Sequence, residues 1–464
     1  MGRTNSRNSS KNNAKQPAKQ FETAKTVSGA AEAFVKAVKE EKKVYTDPIL
    51  EKRESEEKPL ALLETLWFNE DYGSLIDVYA LDNTVKSFGY DTVIMNKPCE
   101  LCSEDEPEDE SISEKFIGKY CTLAKKASTK KQLEDAAKSA DAVIIGTGDI
   151  WSYDKITKFT KNHYFLDYVH DGQKKFSYGT SFGRAYTGPF GEELKTVARD
   201  LRRFSAVSVD SFDTLEIAKS HFGKNTDVVA DPIFLCGREC FEAMAANAGC
   251  RADEHADDTF IVSYIKTPDP RKAQLVFRGN DILTPNNYSP LRNLADIKTA
   301  AEMAEKSKDE KKTVLKAIDN LIEKLDKDAA EETAEEKKED TRFGLTPAKV
   351  NSIEDWLFYI LNSEFFITDD YYAVCLALSF NKPFVFVESK NCDEMQKVSN
   401  LLSQLGLEER IVCTEDDFKS KEYLFRKPIR YNKVNKVLDS IKKQSYEWLG
   451  AQLEVKPDKS EVEE

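Results

Sequence analysis

The sequence predicts an α/β fold built in two sheet-forming regions. Short apolar runs of strand length alternate with helix-periodic segments from Leu60 onward, and such alternation implies parallel sheets. The alternation is interrupted once, by a charged insert at about residues 290–345, and then resumes. The chain has 464 residues, room for two to three domains at about 150 residues each.

Residues 1–58 form a polar stretch expected to be largely disordered. A short helix is possible on Ala30, Ala33, Phe34, Ala37 and Val38, and Met1-Gly2 with Ser6 fits a loose myristoylation pattern, although a solvated tail explains the same residues. A Rossmann-like domain is expected over 59–240. LALLETLWF opens it as a strand, and Asn69 to Gly73 form a turn. Ser74 to Phe88 follows as a helix, with Ser74 and Asp77 spaced as a capping-box variant and Gly89 as terminator. Thr92 to Met95 is the next strand, and Cys99 to Glu114 an acidic loop. A helix from Lys125 to Ser139 leads to the strand Ala142 to Ile145 and the turn GTGDIW. The strand Lys175 to Tyr178 runs into GTSFGR. The helix Gly191 to Arg203, the strand Ala206 to Val209, the helix Asp213 to His221, the strand Asp227 to Ala230 and the turn Asp231-Pro232 complete this region.

A second Rossmann-like domain is expected over 257–430, starting with the strand Thr259 to Ile265. In its insert, Leu294, Ile297, Ala301 and Ala304, then Val314, Ile318, Leu321 and Leu325, mark two amphipathic helices. Lys327 to Asp340 reads as solvated helix or linker. Beyond it come the capped helix SIEDWLFYILNS, the strand Phe365 to Thr368, the helix Tyr372 to Phe380, the strand Pro383 to Val387 and the helix Met395 to Leu405. A final helix spans 431–452, and 453–464 are an acidic tail.

Charge and composition exclude several functions. Lys and Arg total 68 against 82 Asp and Glu, a formal net charge of −14, which is wrong for a general nucleic-acid binder. No apolar run approaches the roughly 18–20 residues of a membrane-spanning helix. The opening MGRTNSRNSSKNNAKQ lacks the apolar core of a secretory signal. Nine irregularly spaced cysteines fit reduced thiols, so a cytoplasmic location is expected. Cys99 and Cys102 form one isolated CxxC without the partners of a zinc site, and neither a metal nor a cofactor is expected.

Candidate site residues lie where strands end, because open α/β sheets bind ligands there. In GTGDIW, Gly146, Gly148 and Asp149 either present amides to an anion or merely turn the chain. In GTSFGR, Ser181 offers a hydroxyl and Arg184 a fork for a carboxylate or phosphate, unless Arg184 is an ordinary surface arginine. ITDDYYA places Thr368, Asp369, Asp370, Tyr371 and Tyr372 at a strand end opening a helix. Adjacent carboxylates there either raise one another's pKa into the acid/base range or serve the helix dipole. His163 lies in a loop after GTGDIW, within reach of a cleft.

Several segments together resemble the polysaccharide pyruvyl transferase family. YGSLIDVYALDNTVKSFGYDTVIMN is similar to its opening, and so are DAVIIGTGDIW, HYFLDYV, KKFSYGTSFG, FSAVSVDSFDTLEIAKS, VVADPIFLC and SIEDWLFYILNSEFFITDDYYAVCLALSFNKPFVFV to its later segments, in the same order. The resemblance covers about Leu60 to Cys413, outside the insert. It implies two Rossmann-like domains facing a cleft, as in B-type glycosyltransferases. The implied reaction moves an enolpyruvyl unit from phosphoenolpyruvate to a sugar of a surface or secreted glycan precursor. Such chemistry needs an acid for the enol carbon, a base for the sugar hydroxyl and cations for the donor. With the resemblance in view, Asp369 and Tyr372, together with the loop residue His163, are the catalytic candidates, and Tyr72, Gly73, Gly146, Gly148, Asp149, Ser181, Arg184, Thr368 and Asp370 are expected to line substrate; Arg202 or Arg203 would add charge. Asp370 stands where the family has Ser or Arg, Tyr372 where it has His, Ala373 where it has Gly, and Asp210 where it has Arg. These exchanges leave room for a non-catalytic member binding proteins through its insert, or for a transferase with another activated donor.

Overall fold

The computed structural model describes residues 48–51, 58–68, 71–98, 111–152, 163–183, 191–249, 259–267, 269–283, 291–295, 316, 320, 350–388 and 393–454. In chain order the first region contains β1 (Leu60–Glu64), α1 (Tyr72–Ser87), β2 (Asp91–Ile94), α2 (Ile112–Tyr120), α3 (Lys130–Lys138), β3 (Ala142–Ile145), β4 (Lys175–Thr180), α4 (Gly191–Arg202), β5 (Ala206–Val209), α5 (Phe212–Phe222), β6 (Asp227–Val228), α6 (Pro232–Cys236) and α7 (Arg238–Ala245). The second contains β7 (Thr259–Tyr264), α8 (Pro270–Leu283), β8 (Leu291–Ala295), α9 (Ile353–Asn362), β9 (Phe365–Thr368), α10 (Tyr371–Ser379), β10 (Phe384–Val387), α11 (Asp393–Gln404), β11 (Ile411–Val412), α12 (Glu415–Lys421) and α13 (Tyr431–Leu453).

Among the described residues, six strands pair in parallel in the order β2-β1-β3-β4-β5-β6, and five in the order β11-β10-β9-β7-β8. Both are Rossmann-like sheets. β1 and β3 are apolar on both faces because helices cover both faces, as parallel sheets require. Ala61 and Leu63 pack with the α1 side, whereas Leu60 and Leu62 pack with the opposite layer. The α1-side core is continuous with the second region: it contains Ile144 and Tyr178 of the first sheet together with Phe366 and Phe386 of the second. α13 returns to the first sheet, where Trp448 donates to Asp227 at 2.8 Å, Tyr90 donates to the Leu453 carbonyl at 2.9 Å and the Ser445 hydroxyl accepts from the Ala230 amide at 2.8 Å.

Two expectations are corrected. The insert does not begin as a helix: Leu291–Ala295 is the edge strand β8, paired with β7 from Thr259↔Leu291 to Ser263↔Ala295. Leu294 therefore belongs to a strand. Its spacing to Ile297, Ala301 and Ala304 mimics one helical face. The remainder of the insert lies outside the described residues apart from Lys316 and Asn320, both helical. The start of α1 is also different. Its cap is Asp71, which accepts from the Ser74 amide at 3.3 Å and the Ser74 hydroxyl at 2.6 Å. Asp71 satisfies the first-turn donors, so Asp77 takes no part in a capping box. The stretches 1–47 and 455–464 and the Cys99–Cys102 motif lie outside the described residues.

Candidate active site

The helices α1 and α10 both start at the carboxyl end of a parallel strand, and their N-termini meet. Each is capped by an aspartate: Asp71 for α1, and Asp370 for α10, where Asp370 accepts from the Ala373 amide at 2.7 Å. Lys266, just beyond β7, bridges the caps at 3.0 Å from Asp71 and 3.4 Å from Asp370. Burial raises the Asp71 pKa, but the Lys266 charge and the Ser74 hydrogen bonds outweigh it and hold the carboxyl below its ordinary value. The charge of Asp370 is thus committed to a helix end and a lysine. At this junction Tyr372 lies so close to Gly73 that a Cβ there would sit 2.6 Å from its side chain, so only glycine permits the approach. Tyr72, buried beside Gly73, packs its ring against Trp356, with centroids 5.9 Å apart.

Asp369 is built into a closed network. Its carboxylate accepts from the backbone amides of Lys266 at 2.6 Å and Thr267 at 3.0 Å, from the Thr267 hydroxyl at 2.9 Å and from Lys272 at 2.6 Å. Lys272, 1% exposed, also pairs with Glu388. Burial alone would lower the Lys272 pKa; Asp369 and Glu388 more than reverse this and raise it. Thr368, also buried, uses its hydroxyl to accept from the Asp370 amide at 3.1 Å.

The two glycine turns hold each other. The Gly146 amide donates to the Glu64 carbonyl at 3.1 Å, Gly148 to Gly179 at 3.1 Å, Ser181 back to Gly148 at 2.7 Å and Trp151 to Ser181 at 3.1 Å. These amides are therefore spent on backbone rather than directed at an anion. A Cβ on Gly146 would lie 2.2 Å from the Tyr178 carbonyl oxygen, and Gly148 has φ 66, so both positions require glycine. Asp149 is half-buried in the same turn and its carbonyl accepts from the Ser152 amide at 2.8 Å. The Ser181 hydroxyl is 3.2 Å from that of Thr214 and accepts from the Gly183 amide at 3.2 Å.

The groups that converge on one pocket are Asp77, Asp210, Asp231, Tyr372, Lys397 and the Thr147–Gly148 turn. Asp77, 1% exposed, projects from α1 and accepts from the Thr147 hydroxyl. Asp231 caps α6, accepting from the Ile233 amide at 3.0 Å, and its carboxyl lies close to that of Asp77. Burial, then the charge of Asp231, pushes Asp77 well above the carboxylate range; burial pushes Asp231 up to about 6. Two close, buried carboxyl groups resist joint ionisation, and Asp77 is the one raised further. Asp210 accepts from Ser211 and Thr214, each at 3.0 Å, and pairs with Lys397 of α11 at 3.0 Å. Burial, with Asp77, Asp231, Asp71 and Asp149 nearby, pushes the Tyr372 phenol well above its ordinary value, so it stays a hydrogen-bond donor. The enclosed space between these groups is about 10 Å³, room for roughly one water.

The structure does not bring all the sequence-derived candidates together. His163 lies 3.2 Å from Glu64, whose other oxygen accepts from Tyr168 at 2.7 Å. Glu64 shares the face of β1 with Leu60 and Leu62, so this cluster is across the sheet from α1 and Asp77. Arg203 pairs with Asp171 at 2.6 Å, Arg202 is exposed, and neither lines the pocket. Arg184 lies outside the described residues. Reading the sequence missed Asp77, Asp231 and Lys397 as site residues. The signals were a helix acid with no capping partner once Asp71 caps, and an Asp-Pro turn at a strand end.

With this geometry in view, the comparisons are decisive on family. The family model for polysaccharide pyruvyl transferase matches residues 71–391, well over half of the chain. The chain belongs to the polysaccharide pyruvyl transferase family. A search of curated proteins returns no match. Among solved structures, the fold is similar to that of the UDP-GlcNAc 2-epimerase from Neisseria meningitidis bound to UDP-GlcNAc, with a TM-score of 0.51 at 10% identity over 85% of this chain and 99% of that one. A glycosyltransferase from Rickettsia africae gives a TM-score of 0.45 at 12% identity, over 86% of this chain and 100% of that one. The chain has the expected α/β architecture of two Rossmann-like sheets, and its likeness to the epimerase shows the same B-type glycosyltransferase-like fold. Among the described residues, no helix is long and apolar enough to cross a membrane, and no cluster of three or more His, Cys, Asp or Glu is arranged to hold a metal.

Proposed function

We propose that this pyruvyl transferase family member transfers a pyruvyl group from phosphoenolpyruvate to paired hydroxyls of a glycan precursor, with Asp77 and Asp231 as its acid–base pair. The convergence of these carboxyls on one space carries the reading. A sugar hydroxyl adds to the enol carbon bearing phosphate, while the terminal methylene takes a proton. Asp77 gives that proton and Asp231 accepts the hydroxyl's, so the pair holds one proton before and after the step. A second hydroxyl then displaces phosphate and closes the ketal, its proton leaving with the phosphate. A carboxyl protonated near neutral pH is the acid such a step needs. Tyr372 donates to the substrate without ionising. Donor binding is weak in this reading, because Asp210 and Asp231 face the same space as the one pocket lysine described.

The second reading is a glycan-binding protein without transfer activity. The pairing of Lys397 with Asp210, and of Lys266 with Asp71 and Asp370, favours it, since these cations are already matched. Phosphate release from phosphoenolpyruvate, measured across a panel of glycans with vicinal or 1,3-related hydroxyls, separates the two. The first reading expects release only when an acceptor is present. Calorimetric binding of a glycan, with no donor binding and no release across the panel, would support the second.

A further inference from the structure

One helix of the second sheet carries the pocket's cation across to the carboxyls of the first. Gln396, Lys397 and Asn400 of α11 fall within an arc of about 100° at 3.6 residues per turn. All three reach α5 or the turn before it. The side-chain amides of Gln396 and Asn400 donate to the same oxygen of Asp213, at 2.7 and 2.8 Å. Lys397 pairs with Asp210 at 3.0 Å and lies 5.6 Å from the Tyr371 ring centroid. Asp77, Asp210, Asp231 and Lys397 line one pocket, and among the described residues Lys397 is its only cation. We propose that α11 is a clamp that regulates the carboxyl pair: Gln396 and Asn400 anchor it on Asp213, and Lys397, as a positioning residue, holds its charge against the site.

The charges around the pocket give Lys397 its effect. Asp77 of α1, Asp210 after β5 and Asp231 at the start of α6 face it, and Asp149 of the glycine turn acts on Tyr372. From α10 come the phenols of Tyr371 and Tyr372 and the thiol of Cys375, all held by burial well above their ordinary values and so uncharged. A carboxyl surrounded by acids keeps its proton, whereas a cation beside it favours the ionised form. The Lys397 charge opposes burial at both Asp77 and Asp231, while Asp210 reinforces burial at Asp231. The enclosed space takes about one water, so a sugar hydroxyl reaches the pair only when a wall of the pocket moves. Movement of α11 takes Lys397 away, and the pair then binds protons more tightly; return of the helix favours their release. The contacts on Asp213 are polar and exposed, so they part at small cost. This regulation rests on the acid–base reading of Asp77 and Asp231, whereas the clamp geometry stands without it.

The test is an infrared titration of the full chain without substrate. In each variant the Asp231 band is isolated by difference from the same variant carrying Asp231→Asn. Lys397→Met should raise the Asp231 midpoint by about one pH unit above its value of about 6, the smaller end of what a close opposite charge does. Lys397→Arg should restore it. Asp210→Asn should lower the midpoint, because it removes an acid and leaves Lys397 to act on the pair. Asp213→Ala keeps every pocket charge but removes the anchor of α11, and should raise the midpoint by a smaller amount. A midpoint unchanged by Lys397→Met, or raised by Asp210→Asn, would overturn the role of Lys397; one unchanged by Asp213→Ala would overturn the anchor. If Lys397→Met folds poorly, the opposite shifts in Asp210→Asn and Asp213→Ala still decide the matter. Shifted midpoints in a chain that shows no transfer would sink the transfer reading and leave the clamp standing.

Discussion

Lys272→Met is expected to destabilise the chain by about 3–5 kcal/mol, the usual cost of breaking a buried ion pair by removing one partner. Lys272 is 1% exposed and neutralises Asp369 and Glu388, themselves 2% and 5% exposed. Methionine fills similar space but leaves two buried carboxylates facing each other. Urea unfolding should show a lower midpoint with an unchanged slope. Adding Asp369→Asn and Glu388→Gln removes the stranded charges and should recover a large part of the loss. A single-mutant loss below about 1 kcal/mol, typical of an exposed pair, would show that the network is solvated.

Asp77→Asn should leave the fold intact and lower transfer by about 10²–10⁴-fold, the contribution of a positioned acid or base. Asparagine keeps the size and can still meet Thr147, but it cannot release a proton. The pair also ties stability to pH. Asp231 has its pKa raised from 3.8 to about 6, so the folded chain holds a proton that the unfolded chain has released. The resulting stability is fully present below about 4 and is lost as pH rises through about 6. Asp77, raised further, extends the loss to higher pH. Thermal melts of the unaltered chain should therefore fall across this range, and Asp77→Asn should lose the upper part of the slope. Unchanged transfer in the variant would remove Asp77 from the mechanism.

The sheet architecture was legible because apolar runs such as AVII and FFIT have strand length and sit between helix-periodic segments. Less regular elements were not. α8 mixes charged residues with Gly279 and reads poorly as a helix, yet Gly279 is there because a Cβ would lie 2.7 Å from Phe425. β8 was hidden because Leu294 continues at helical spacing into Ile297, Ala301 and Ala304, and α2 by the acidic loop before it. Much of the site was illegible for a different reason. Asp77 and Asp231 are 154 positions apart in the sequence, and only the packing of α1 against α6 makes them one titrating unit. Tyr372 and Asp370 were visible as residues, but the cap on α10 and the bridge by Lys266 arise from contacts across the two sheets. Local pattern can nominate an acid at a strand end; it cannot say which acid is already spent on a helix or a lysine.

The shared proton is the claim on which the functional account rests. Infrared difference spectroscopy of the carboxyl C=O band, titrated from pH 4 to pH 8, measures it directly. A protonated carboxyl band should persist at pH 7 in the unaltered chain and disappear in Asp77→Asn, while a second carboxyl titrates near 6 and is absent in Asp231→Asn. Complete loss of the band by about pH 5, or a band at pH 7 that survives Asp77→Asn, would contradict the account.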